Sequence, residues 1–201
     1  MAVMFSALVP LAMFIFVNSV TPGPNNIMLT ASGAAFGYRR TIPHMLGIGL
    51  GMSAMLLLVG AGLGALLEAQ PRLYQILQYV GAAYLVYLAW RLATSSSMGE
   101  GARRARPMTL MEAAVFQWIN PKAWIIAVGI VAAYMPSGDY VTTLLAVTVF
   151  CWLINYPTIS LWVLFGSALR QVLAEPRRLR AFNVMMAILL VALLYPIFAG
   201  A

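Results

Sequence analysis

Asn18-Ser19-Val20-Thr21-Pro22-Gly23-Pro24-Asn25-Asn26 interrupts an apolar run that extends from Phe5 to Phe36. Two prolines without N–H groups and a glycine without a Cβ break a helix at this point. The flanking run is long enough to reach across a bilayer, where about 20 mostly apolar residues are needed. A break at that depth frees carbonyls and N–H groups, which persist in a membrane only when buried in protein or facing a wet cavity. The segment restarting at Pro24 or Asn25 presents a helix N-terminus, whose partial positive charge suits a carboxylate. A mere packing kink would need neither the second proline nor the three amides Asn18, Asn25 and Asn26. The stretch therefore reads as a site inside a broken membrane span.

Five more runs of spanning length follow: Ile42 to Leu67, Leu73 to Trp90, Leu110 to Tyr134, Val141 to Ala168 and Phe182 to Phe198. The fourth run overall is interrupted at Asn120-Pro121-Lys122 and the fifth at Pro157. No β-barrel alternation is visible, so helices are the spanning elements. The expectation is one all-α integral membrane domain over residues 1–201, with about six transmembrane helices. Helices 1–3 occupy about residues 1–93, a polar loop residues 94–109, and helices 4–6 residues 110–201. Three spans per half invert the second half, and a related pair of halves would be a 3+3 inverted repeat with broken helices 1 and 4. The apolar N-terminus from Ala2 to Val17 lacks a basic leader and reads as the first helix, not a cleaved signal.

Composition agrees. Hydrophobic residues make up 63% and charged residues 8%, against about 45–50% and about 25% in soluble domains. The net charge of +7 follows membrane topology rather than nucleic acid, because no basic stripe is interleaved with aromatics. Arg39 and Arg40, then Arg91, Arg103, Arg104 and Arg106, then Arg170, Arg177, Arg178 and Arg180 fall in loops on one side. Only Arg72 falls on the other. The bias puts these loops in the cytoplasm and both termini outside, in a bacterial inner membrane. Single residues Cys151 and His44 exclude a dithiol relay and leave no transition-metal site. No cofactor or metal is expected, and no nucleophile lies near a base, so an enzyme is not indicated. Cys151 reads as an ordinary buried residue, and His44, beside Arg39 and Arg40, as an interface marker.

Lys122 is the only lysine and the only charge well inside a span. Such a charge costs at least about 2.5–3.5 kcal/mol on insertion scales and is tolerated when it faces a bundle interior. Gln117, Asn120 and Pro121 add polar surface and an open turn beside it. No acid is an obvious partner. Glu112 lies about 15 Å away along a helix, and the other acids fall in loops or at span ends. Two readings stay open: a lysine neutral in the empty site, or one paired with a substrate carboxylate. Asn155-Tyr156-Pro157 forms a third polar break that lines the same cavity or serves as a kink. Gly47, Gly49, Gly51, Gly60, Gly62 and Gly64 suit close helix packing and would permit a homodimer.

Thr21-Pro22-Gly23-Pro24-Asn25-Asn26-Ile27 and Asn120-Pro121-Lys122-Ala123 together resemble motifs of the lysine exporter (LysE/RhtB) family of amino-acid efflux proteins. Gly81-Ala82-Ala83-Tyr84-Leu85-Val86-Tyr87-Leu88-Ala89-Trp90 is similar to its cysteine and O-acetylserine branch. The resemblance covers nearly the whole chain. It implies six helices, export of a small amino acid or derivative, coupling to protons, and a central cavity bearing Pro22, Gly23, Pro24, Asn120, Pro121 and Lys122. The segment Arg39-Arg40-Thr41-Ile42-Pro43-His44 departs from some relatives. The alternative, a metal or other ion transporter of the wider superfamily, would need carboxylate, histidine or cysteine ligands inside the spans. None is apparent.

Overall fold

The computed structural model describes residues 2–94, 106–135 and 139–195, and these form helices joined by short turns. Helix α1 (Ala2–Val20) and α2 (Pro24–Phe36) are the two halves of the first apolar run. Helix α3 (Tyr38–Leu58) continues through a wide turn at Val59–Leu63 into α4 (Gly64–Ala69). Helix α5 spans Pro71–Ala93. The fourth run is α6 (Leu110–Ile119) and α7 (Pro121–Tyr134), followed by the long α8 (Tyr140–Leu169). A short turn of helix at Val172–Ala174 leads to α9 (Pro176–Ala192).

The starts follow simple rules. Proline opens α2, α5, α7 and α9, where its missing N–H costs no helical bond and its fixed φ is already helical. Thr109 and Glu112 form a reciprocal cap on α6, satisfying two otherwise unpaired donors. Gly37 joins α2 to α3 with φ +81°, a left-handed angle that favours glycine.

Among the described residues, Tyr38–Leu63, Gln75–Ala93 and Tyr140–Leu169 are long and apolar enough to cross a membrane singly. The α6–α7 pair, bent by 73°, qualifies as one broken span. The regular structure of the described residues is thus all helical, as in a membrane protein. The break divides the first expected span into a shorter apolar piece, Leu8–Val20, and the 13-residue α2. Helix α9 carries Arg177, Arg178 and Arg180 in its first turns, so its apolar stretch is short.

Two expectations change. Pro157 does not interrupt the fifth span, because α8 runs unbroken from Tyr140 to Leu169. One proline removes a single backbone bond, and flanking hydroxyls reinforce the turn: Thr158 donates to the Ile154 carbonyl and Ser160 to the Tyr156 carbonyl. Arg39 to His44 is not a loop but the opening of α3. Residues 95–105 of the expected polar loop lie outside the described residues; Arg106 reaches Glu112 at 2.6 Å.

Small residues set the helix spacing. A Cβ on Gly33 would strike the Val163 carbonyl of α8, and one on Gly166 would strike the Thr30 carbonyl of α2. Cβ atoms on Gly47 and Gly51 would strike Leu110 and Ala114 of α6. In lipid, where apolar association drives little, such backbone approach is a main source of helix adhesion. Gly49 and Gly60 are covered by Trp152 and Leu144. Gly47, Gly49, Gly51 and Gly60 are thus filled from inside the chain, whereas a Cβ on Gly62 would meet nothing within 4 Å.

Candidate functional site

The break between α1 and α2 comprises Thr21, Pro22 and Gly23. It exposes the last carbonyls of α1 and the first N–H groups of α2, which have no intrahelical partner. Asn26 repairs part of this damage: its amide nitrogen donates to the Ser19 and Thr21 carbonyls, both at 2.8 Å. Trp162 of α8 also donates to the Ser19 carbonyl at 3.2 Å. Asn18 donates back to Phe14 within α1.

The second break is the single residue Asn120 between α6 and α7. Its side chain caps α7 by accepting from the Lys122 N–H at 3.2 Å. Gln117 is fully buried and forms a reciprocal amide pair with Asn25. One Asn25–Gln117 bond is 2.8 Å and the return bond 3.3 Å. Lys122 Nζ donates to the Thr21 carbonyl at 2.9 Å. The lysine therefore lies against the carbonyl end of α1, where the helix dipole is negative. Glu112 is engaged with Arg106 and the α6 cap, so it is not the missing partner of Lys122. The two breaks meet in space.

A cavity of about 70 Å³ opens where they meet. Asn18, Gly23, Pro24, Asn25, Asn26, Asn120, Lys122, Asn155 and Tyr156 of the expected set line it. Thr21 contributes only its carbonyl, Gln117 sits behind Asn25, and Pro22 is exposed. Pro121 faces away, lining a smaller crevice beside Trp124. The walls also include residues that sequence reasoning passed over: Ser19, Ser53, Thr148, Cys151 and Trp152. Trp152 stacks on Tyr156 at 5.4 Å with planes 8° apart. Their signal was available, since Thr148, Cys151, Trp152, Asn155 and Ile159 recur at helical spacing on one face of α8. Cys151 is half-buried in the cavity wall rather than an inert core residue. His44 is not an interface marker: it is 1% exposed, and neither ring nitrogen has a hydrogen-bond partner among the described residues. It lies one turn into α3, inside the bundle.

Among the described residues, Lys122 is the single charged one in the cavity lining. Among the described residues, no group of three or more His, Cys, Asp or Glu is placed to hold a metal.

Gly23 is needed for space, not for backbone freedom. Its φ of −162° and ψ of 174° are extended angles open to any residue. A Cβ there would sit 3.1 Å from Lys122 Cδ and 3.2 Å from Nζ, tighter than ordinary contact. Gly23→Val is expected to push the ammonium off the Thr21 carbonyl and cut transport by about tenfold or more, the value of one hydrogen bond to a charged group. Gly23→Ala should fall between valine and wild type. Initial transport rates of the three proteins in liposomes check the order.

The family model described as "LysE type translocator" matches residues 16–195. The cysteine/O-acetylserine efflux protein of Salmonella typhimurium is 30% identical over 181 residues, covering 89% of this chain and 90% of that one. The protein of the same name from Escherichia coli is 27% identical over 179 residues, with the same coverage. No solved structure matches. Such translocators are transporters and not enzymes, and a match over this much of an apolar, helical chain makes it a multi-pass membrane protein. The chain belongs to the LysE type translocator family.

Proposed function

We propose that the chain exports a small, uncharged-side-chain amino acid or derivative across the bacterial inner membrane, driven by inward proton movement. One observation carries the reading: Lys122 of the second break donates to Thr21 of the first, 101 residues away, on the wall of the cavity. The relatives named as cysteine/O-acetylserine efflux proteins support amino-acid export.

The chemistry is as follows. A substrate carboxylate docks on the Lys122 ammonium, the Asn120 amide and the free N–H groups opening α2. All are donors, and the dipole of α2 adds partial positive charge. Size agrees. A water needs roughly 10–15 Å³ of such space, so about 70 Å³ holds roughly five to seven water-sized groups. Cysteine has about seven non-hydrogen atoms.

Six spans in a 3+3 inverted repeat fit this scheme. The α1–α2 and α6–α7 breaks hold corresponding places in the two halves. Helix α2 packs on α8 while α3 packs on α6, and α5 packs on α9. Span 1 with 5, span 4 with 2 and span 3 with 6 are the pairings a two-fold exchange of halves requires. Rocking of the halves about the cavity would alternate access, with Lys122 as the proton carrier. The arginine bias places both termini outside.

The test is efflux of labelled L-cysteine from proteoliposomes under reducing conditions. An imposed proton gradient, inward with respect to the direction of export, should accelerate efflux at least about tenfold, and a protonophore should return it to the passive rate. Efflux indifferent to the gradient would remove proton coupling; the absence of any efflux above empty liposomes would remove the export reading.

A further inference from the structure

We infer that Asn155 is the acceptor for the substrate's α-ammonium, and that this neutral acceptor restricts the site to substrates carrying one ammonium. The inference rests on the export reading above and deepens it. A zwitterion brings two charged ends, and the donors around Lys122 satisfy only the carboxylate. The ammonium carries three N–H donors and needs an oxygen. Among the described residues no aspartate or glutamate lines the cavity, so the acceptor is neutral.

Several neutral oxygens of the lining already accept a bond. The Asn25 oxygen accepts from Gln117, and the Asn120 oxygen accepts from the Lys122 N–H. The Ser19 carbonyl already takes two donors, from Asn26 and Trp162. The Thr148 hydroxyl donates to the Leu144 carbonyl and keeps its accepting lone pairs, as do the side-chain oxygens of Asn18, Asn26 and Ser53 in the lining. Asn155 is different: its Oδ1 is sealed from solvent and has no hydrogen-bond partner among the described residues. A buried carbonyl left without a donor costs about 1–3 kcal/mol. Its neighbours along the same face are Cys151, one turn earlier, and the Trp152–Tyr156 stack. The amide is unrestrained through its oxygen and turns about Cβ–Cγ, a torsion with broad, roughly two-fold preference. Turning presents the oxygen to a ligand in the cavity. A second ammonium, as in a basic amino acid, would find no carboxylate among the lining residues and would meet the Lys122 charge.

Wild type, Asn155→Leu and Asn155→Asp, each reconstituted as the full chain, are compared by exchange of labelled L-cysteine. The competitors are unlabelled L-cysteine and 3-mercaptopropanoate, the same molecule without its ammonium. In wild type, 3-mercaptopropanoate should compete about 10- to 100-fold more weakly, the value of a hydrogen bond to a charged group. In Asn155→Leu the gap should fall below about threefold through weaker cysteine binding, while Asn155→Asp keeps the gap or widens it. The leucine protein should also melt no lower than wild type in detergent, because it removes an unpaired oxygen. A leucine variant that exchanges cysteine with the wild-type gap, or that is markedly less stable, overturns the assignment and leaves export standing. A wild-type protein that exchanges no cysteine counts against the export reading, and the assignment falls with it.

Discussion

Lys122→Ala is expected to lower transport by about 10²–10³-fold, the effect of removing one partner from a desolvated charge pair. The loss should appear without unfolding. Among the described residues, the Lys122 side chain makes one hydrogen bond, to the Thr21 carbonyl, and that carbonyl keeps its second donor, Asn26. Neither break loses its cap, because Asn120 caps α7 through the Lys122 backbone N–H, which alanine retains. Detergent melting temperature should therefore stay near the wild-type value while efflux disappears. Lys122→Arg should not restore it. A planar guanidinium is wider than an ammonium, and Gly23 leaves clearance fitted to the lysine. Efflux of labelled L-cysteine from proteoliposomes, beside thermal stability of the same preparations, gives both readouts. Wild-type rates from the alanine protein under an intact proton gradient would remove the lysine from the mechanism.

The two breaks were legible because proline and glycine act locally. Pro22-Gly23-Pro24 and Asn120-Pro121 carry their meaning in the missing N–H groups, and the helices end at Val20 and Ile119 as those residues dictate. The isolated charge of Lys122 pointed inward for an equally local reason, the cost of ionising a group in hydrocarbon. What the residues accept and donate was not legible. The Asn25–Gln117 pair joins residues 92 apart, and Asn26 serves the carbonyls of the preceding helix rather than a ligand. Pro157 was misread because a lone proline lacks the same N–H whether or not the helix continues. What separates the cases is company, since Pro22–Pro24 combines two prolines with a glycine and Pro157 is flanked by helix-compatible residues. His44 looked peripheral from its arginine neighbours, but the helical turn carries position 44 to the buried face with Met45 and Ile48.

Gly33→Ala and Gly166→Ala are expected to be among the most damaging small changes in the fold, each costing about 1–3 kcal/mol or more by overpacking. A Cβ on Gly166 would overlap the Thr30 carbonyl oxygen and lie 2.9 Å from Thr30 C and 3.0 Å from Ala34 N. A Cβ on Gly33 would overlap the Val163 oxygen and lie 3.1 Å from Val163 C and Cα. All of these are backbone atoms of regular helices, so no rotamer change relieves the overlap, and α2 and α8 must separate. Separation breaks the bond from Ser167 to the Gly33 carbonyl. It also shifts the N-terminus of α2 relative to the Asn155 face of α8, so surviving protein should transport poorly. Gly129→Ala is the control: its Cβ would meet only the ring end of Phe14, at 3.2 Å, and a ring at the end of a side chain gives way. The double variant should cost less than the sum of the singles, because one displaced seam already accommodates the second methyl. Melting temperature and monodispersity in detergent measure all four proteins. Alanine at 33 or 166 tolerated as well as at 129 would mean that α2 and α8 are not held backbone to backbone.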